Sequence, residues 1–272
     1  LLVPFLAWGI SNHGWRTAAL GIGVVLAASA LPLSRVLSRF PRPGETAPEE
    51  VRAAAPKEKQ AQATATQGPE FTAKQALKTR AFWLLAAAHT AGNVSIVAVA
   101  VHGVPHLTDM GLSLELAGTV VAMYTASSLA FQVFGGFIGD RVDKRVATWA
   151  FITLQGVSML VFAFTTNLAM ASVFALLYGI GFGGRGPVMN ALRADYFGRK
   201  AFGAILGMSS VPMNIGMVIS PLVLGILFDV QDTYKYGMLG LGFISIAGAF
   251  MALLATRPKL QGAPAAGEAR LG

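Results

Sequence analysis

Cysteine is absent from the 272-residue chain, so a disulfide framework, thiolate chemistry and cysteine-ligated metal are all excluded. Charge is scarce as well. Only 12% of residues are Asp, Glu, Lys or Arg, where a soluble domain carries roughly 25%. With 54% hydrophobic residues and a mean hydropathy of +0.58, a water-exposed globule of this size has too little polar surface to cover itself. An ordinary soluble enzyme, a nucleic-acid reader and a disordered protein are excluded on that ground. The net charge of +8 does not restore the nucleic-acid reading, because the bases lie between long apolar runs. No phosphate-cradling glycine loop followed by Lys and Ser or Thr is present, so ATP-driven transport has no support. No Ser/His/Asp constellation is placed for hydrolysis, and neither an enzymatic activity nor a cofactor is expected.

The apolar runs themselves have the length of membrane spans. A bilayer core of about 30 Å takes about 20 helical residues to cross. Residues 17–34, 81–108, 116–139, 146–184, 201–228 and 236–256 contain no Asp, Glu, Lys or Arg. The fourth run has 39 residues, too many for one span, and the polar Thr165, Thr166 and Asn167 at its middle predict two helices. Residues 1–10 read as the end of a further helix, and with no initiator Met or signal-peptide pattern the chain is expected to begin inside it. No period-two alternation of a β-barrel is visible.

Loop charge sets the expected orientation. Of the 21 Lys and Arg residues, 18 fall in residues 35–80, 140–145, 193–200 and from 257 onward, and two, Arg16 and Lys235, fall in the opposite loops. Cytoplasmic loops are the base-rich ones, so the first set and the C-terminus are expected to be cytoplasmic, in a plasma (inner) membrane. Trp15-Arg16 with Gly21 and Gly23 is echoed 219 residues later by Tyr234-Lys235 with Gly240 and Gly242, which predicts an internal repeat of helical bundles. Residues 41–79 are rich in Pro, Ala, Gln and Thr and read as a flexible linker. Its end, Phe71 to Trp83 with Lys74 and Lys78 on one face, predicts a short interfacial helix.

Several segments then resemble one family. Gly136-Phe137-Ile138-Gly139-Asp140-Arg141-Val142-Asp143-Lys144-Arg145 resembles the signature between helices 8 and 9 of the major facilitator superfamily, with Asp143 where that family prefers Gly. Asp195 to Gly203 resembles its loop between helices 10 and 11. Arg80-Ala81-Phe82-Trp83 and the segment from His102 through Pro105 and Asp109 to Ser113 resemble helix 7 of its monocarboxylate and oxalate–formate branch. The resemblance implies an all-α polytopic membrane bundle. It would hold part of helix 5 and helix 6 (residues 1–40), a cytoplasmic linker (41–80), the C-terminal six-helix bundle of a twelve-helix fold (81–260) and a cytoplasmic tail (261–272).

Asp140 would sit at the cytoplasmic end of a helix, where the dipole disfavours an anion by up to about 1 kcal/mol. Arg141, Lys144, Arg145 or a neighbouring helix N-terminus are its expected partners. With Gly136 this cluster reads as a latch between bundles, or as a loop that only sets topology.

Arg185, in Gly183-Gly184-Arg185-Gly186-Pro187, is the one base inside an apolar run. Such a charge costs roughly 2.5–3.5 kcal/mol at a span centre. It lies eight residues from Arg193, about 12 Å from the expected membrane edge. It reads either as a two-pronged contact for an anionic substrate or as a gate or structural residue. His89 and Asn93, then Tyr124, Ser128 and Gln132, then Ser210 and Asn214, fall at four-residue spacing and form polar stripes facing partners or a cavity. His89 could carry a coupled proton. His102 and His106 have a metal-ligand spacing, but Gly103 and Pro105 are expected to break the helix there, and no metal is expected. The expected function is secondary transport of a small solute across a lipid bilayer by alternating access, with a small organic anion such as a monocarboxylate as substrate and a proton or counter-transported anion as coupling partner. A sugar or drug substrate, or a membrane receptor or scaffold that transports nothing, are the alternatives.

Overall fold

A computed structural model describes residue 10, residues 14–21, 23–25 and 28, and residues 70–258. The chain divides into two units, residues 2–67 and residues 68–272. In the smaller unit the described residues are helical, as the run from residue 17 predicts, and the Arg16 guanidinium lies 4.8 Å above the Trp15 ring. Most of the expected helix over residues 1–10, the linker up to residue 69 and the tail at 261–272 lie outside the described residues.

Polar caps cut the rest of the chain into helices where the apolar runs end. These are α1 (Ala73–Leu77), α2 (Arg80–Asp109), α3 (Leu114–Gly139), α4 (Lys144–Ala163), α5 (Leu168–Phe197), α6 (Phe202–Gln231) and α7 (Lys235–Leu254). Thr79, Ser113, Asp143 and Asn167 each accept a backbone N–H from the first turn of α2, α3, α4 and α5, satisfying one of the donors a helix start leaves free. Asn167 is the end of the polar break expected inside the 39-residue run. The six helices from α2 to α7 are long and apolar enough to cross a membrane. Among the described residues the regular structure is all helix.

α5 lies between α3 and α4, α7 packs on α4 and α2, and α2 packs on α6. Glycine makes the α5 contacts possible. A Cβ on Gly135 of α3 would stand 2.5 Å from the Gly184 carbonyl oxygen, and one on Gly181 would stand 2.7 Å from the Phe151 carbonyl oxygen of α4. Gly183 meets the backbone of Ser128 in the same way. Without a hydrophobic drive between helices in lipid, such close backbone approach supplies the attraction. By contrast α3 and α6 bury only 11% of their apolar windows within the chain.

Three sequence expectations are corrected here. α2 runs unbroken through Gly103 and Pro105 to Asp109, because neighbouring helices and side chains can satisfy the backbone groups a proline frees in a membrane. Pro221 in α6 shows the same device, where the Ser220 hydroxyl lies 3.5 Å from the Met217 carbonyl that Pro221 cannot serve. The segment from Phe71 to Trp83 is two helices, not one, because Thr72 and Thr79 each start a helix of their own. Arg193 is not a loop residue: α5 continues four residues beyond it, and the side chain is buried at 1% exposure.

Candidate functional site

Arg185 sits in the interior of the larger unit, 3% exposed. Its Nη2 donates to the Asn93 Oδ1 of α2 at 2.9 Å, and the guanidinium carbon lies 5.4 Å from the Phe182 ring centroid. Room for it comes from Gly92, where a Cβ would stand 3.3 Å from Nη1. Asn93 is itself oriented, since its Nδ2 donates to the His89 carbonyl at 2.6 Å and so turns its oxygen toward the guanidinium. The expected pair His89 and Asn93 thus holds Arg185 from the facing helix. Among the described residues no carboxylate lies within ion-pair distance of Arg185, and Nε has no partner. Because α5 extends to Phe197, Arg185 is twelve residues from its end, or about 18 Å, deeper than the sequence suggests.

Next to this pair is a buried polar network that single-residue reasoning missed. Gln155 Nε2 of α4 donates to Ser95 Oγ of α2 at 3.0 Å, and Ser95 Oγ lies 3.5 Å from the Tyr178 hydroxyl of α5. All three residues are buried. Their signal was present in the sequence, as isolated polar groups inside apolar runs. Tyr124 of α3 is half-buried and meets Tyr178 edge-on at 5.6 Å. Ser128 is buried at the α3–α5 contact, while Gln132 and Asn214 are exposed on the outer faces of α3 and α6. Ser210 is half-buried and donates to the Leu206 carbonyl. The polar stripes therefore divide: their α2 members join the site, and Gln132 and Asn214 do not.

The two histidines expected in a loop stand one turn apart on α2. His106 Nε2 meets the Phe162 carbonyl of α4 at 3.1 Å, and His102 Nε2 meets the Pro221 carbonyl of α6 at 2.9 Å. Both rings also face Tyr234. They tie three helices together at one end of the bundle.

At the other end, the signature loop distributes its charges differently from expectation. Lys144 pairs with Asp195 of α5 at 2.8 Å, and Arg145 pairs with Asp143 at 2.9 Å. Arg141 lies 3.4 Å above the Phe137 ring. Asp140 is exposed and, among the described residues, has no cation within ion-pair distance, while Gly136 is half-buried. Asp143, where a glycine resembles the family better, has φ −53° and accepts the Arg145 N–H as helix cap, so the turn never needs left-handed backbone. Across the bundle, the Glu70 carboxylate accepts the Lys200 N–H at 2.9 Å beside Gly198, whose φ of +80° favours glycine.

The Arg145 hydrogen bond and charge hold the Asp143 carboxyl below the usual carboxylate range. A group with a lowered folded-state value stabilises the fold above its unfolded value and loses that contribution as pH falls through the folded one. Asp143→Ala is expected to cost about 0.5–2 kcal/mol at neutral pH. Its deficit against wild type should hold from about pH 7 to about 5 and shrink only as pH falls below about 4. Thermal unfolding of the purified protein across that range checks it; a deficit independent of pH counts against the carboxylate cap.

A sequence model described as Major Facilitator Superfamily matches residues 90–271. The chain belongs to the major facilitator superfamily. Among its curated relatives is the quinolone resistance protein NorA of Staphylococcus aureus, 26% identical over 139 residues, which are 50% of this chain and 36% of NorA. Another is the agnestins efflux protein AgnL12 of Paecilomyces divaricatus, 27% identical over 155 residues, 55% of this chain and 34% of the relative. The chain spans about a third of the length of these relatives. Membership of this superfamily and the six spans make the chain part of an integral membrane protein.

Proposed function

We propose that the full-length protein is a secondary transporter that moves a small organic anion by alternating access, with Arg185 as the contact for the anion. The observation that carries this is a buried guanidinium at mid-span whose one described hydrogen-bond partner is a neutral amide. A buried cation needs compensation, and a carboxylate on the solute supplies it in bidentate form. The helix 7 resemblance to the monocarboxylate branch supports a monocarboxylate as the simplest such solute. A latch between bundles through the signature loop would fall to Asp140 and Arg141, because Lys144 is engaged by Asp195 within this bundle, joining the start of α4 to the end of α5. Coupling would use a proton at His89 or an anion returning through the same site.

A second reading is export of a drug-like solute, favoured by the relatives, whose names state quinolone resistance and agnestins efflux. A cavity of about 250 Å³ between α2, α6 and α7, lined by Val94, Ile219, Leu224 and Tyr236, offers apolar surface for one. Uptake or release of a labelled monocarboxylate, a neutral sugar and a cationic dye by vesicles holding the full-length protein separates the readings. Movement of the carboxylate alone is expected; movement of the dye without the carboxylate overturns the anion assignment.

The base-rich loops, the linker and the C-terminus belong on the cytoplasmic side of the plasma (inner) membrane in this reading. These 272 residues contribute no cysteine of their own, so labelling above that of the unsubstituted full-length protein reports the introduced residue. Thr166→Cys is expected to react with an impermeant thiol reagent from outside the cell and Arg141→Cys only after lysis. The reverse pattern contradicts the orientation.

A further inference from the structure

The segment that leads into α2 is fastened across the bundle to the turn between α5 and α6. The Glu70 carboxylate accepts the Arg199 N–H at 3.4 Å and the Lys200 N–H at 2.9 Å, and the Phe71 N–H donates to the Phe197 carbonyl at 3.0 Å. The buried Phe71 ring meets Phe197 edge-on at 5.7 Å and shares a core cluster with Phe82 of α2 and Ile205 of α6. Gly198 makes room for the carboxylate, since a Cβ there would stand 2.6 Å from Oε2. The other end of the segment is pinned to α2, where the Trp83 indole donates to the Leu77 carbonyl at 2.9 Å. The beginning of α6 has little else to hold it. It starts at Phe202 without a side-chain cap, and over residues 202–211 its buried side chains are Ile205 and Ser209. A Cβ on Gly203 or Gly207 in this stretch would meet nothing within 4 Å. Pro212 then removes a backbone hydrogen bond from the helix, and a helix bends where that happens.

We infer that residues 70–79 are a clasp on α6. Closed, as in this structure, the clasp holds residues 202–211 in place beside the start of α2. Open, it lets that stretch swing about Pro212. The bonds suit release. Glu70 is exposed, and its two partners are backbone amides of a surface turn, so water can take over both contacts when the clasp opens. Glu70 also follows directly on the residues expected to link the two bundles, so a displacement of the linker reaches α6 through it. The role of the swing rests on the alternating-access reading: it opens and closes the solute path at the signature-loop end, as a moving segment does in other gated sites. The clasp itself stands on the contacts above and does not depend on that reading.

The test uses cysteine reporters in the purified full-length protein, labelled with a maleimide and read above the protein that lacks them. Ile205→Cys reports on the core beneath the clasp, and Met159→Cys on the other large core cluster. With Glu70→Ala added, Ile205→Cys is expected to label about 2- to 10-fold faster, the size of a lost hydrogen bond in a local opening. Met159→Cys should label as before, and Glu70→Gln, which keeps one acceptor oxygen, should fall between wild type and Glu70→Ala. Should Ile205→Cys fail to fold, Ser209→Cys, a near-isosteric change at a buried position of the same stretch, takes its place. Equal acceleration at both reporters makes Glu70 a general stabiliser, and no acceleration at either means that nothing is clasped; each result overturns the inference. For gating, Glu70→Cys and Lys200→Cys are joined by a short reducible cross-linker. Counterflow of a labelled anion is expected to stop on cross-linking and to return on reduction. Counterflow that continues through the cross-link overturns the gating role. A wild type that shows no counterflow for any anion overturns the transport reading and the gating role with it, while the reporters still decide whether the clasp exists.

Discussion

Arg185→Gln is expected to weaken binding of an anionic substrate by roughly 10- to 150-fold, the loss of a buried charge-assisted hydrogen bond of about 1.5–3 kcal/mol. The setting makes the loss large. Arg185 is 3% exposed, and its geometry is fixed from outside by Asn93, which is itself fixed by the His89 carbonyl. Arg185→Lys should rescue little, because an ammonium lacks the planar fork and gives up its hydration reluctantly. The gap above Gly92, shaped to a guanidinium, would also go unfilled. The effect should follow solute charge: a neutral analogue that binds wild type should bind the variants equally. Binding to folded, purified full-length variants checks this. Loss of folding in every variant, with no dependence on solute charge in those that survive, would make Arg185 structural.

Gly183→Ala is expected to be the most damaging small substitution in stability. The added methyl would collide with the Ser128 backbone of α3, which cannot rotate aside as a side chain can. Overpacking of this kind costs about 1–3 kcal/mol, and where two backbones are in contact the helices must separate. Gly135→Ala should behave alike, since its Cβ would stand 2.5 Å from the Gly184 carbonyl oxygen. Gly186→Ala, on the same helix three residues on, meets nothing within 4 Å and should be neutral or stabilising by up to about 1 kcal/mol. Thermal unfolding of the three variants is the comparison. Similar losses at Gly183 and Gly186 would mean that glycine acts there through helix propensity and not through close approach.

The spans were legible because membrane crossing demands long uninterrupted runs, and the break at Asn167 because a capping residue there has one structural use. The errors came from rules learned in water. Gly103 and Pro105 read as a break, yet inside a membrane an interrupted helix has no solvent to fall back on, and α2 continues. Arg193 read as a loop base because it stands near the end of a run. Leu192, Tyr196 and Phe197 around it pack with Phe71, Phe82 and Ile205 and carry the helix onward. Of the site, Arg185, His89 and Asn93 were legible as polar groups at helical spacing on an apolar background. Gln155, Ser95 and Tyr178 were not, because a lone polar residue shows no period and its partners lie on other helices. The same blindness hid the pairing of Lys144 with Asp195, fifty-one residues apart in sequence.

Counterflow in liposomes reconstituted with the full-length protein tests transport at Arg185 most directly. Liposomes loaded with unlabelled anion should take up labelled anion faster than unloaded ones, because alternating access exchanges one solute for another through a single site. Arg185→Gln should abolish that acceleration while the protein remains folded. Uptake equal to that of protein-free liposomes, or full acceleration in Arg185→Gln, would contradict the assignment of this chain to an anion transporter that works through Arg185.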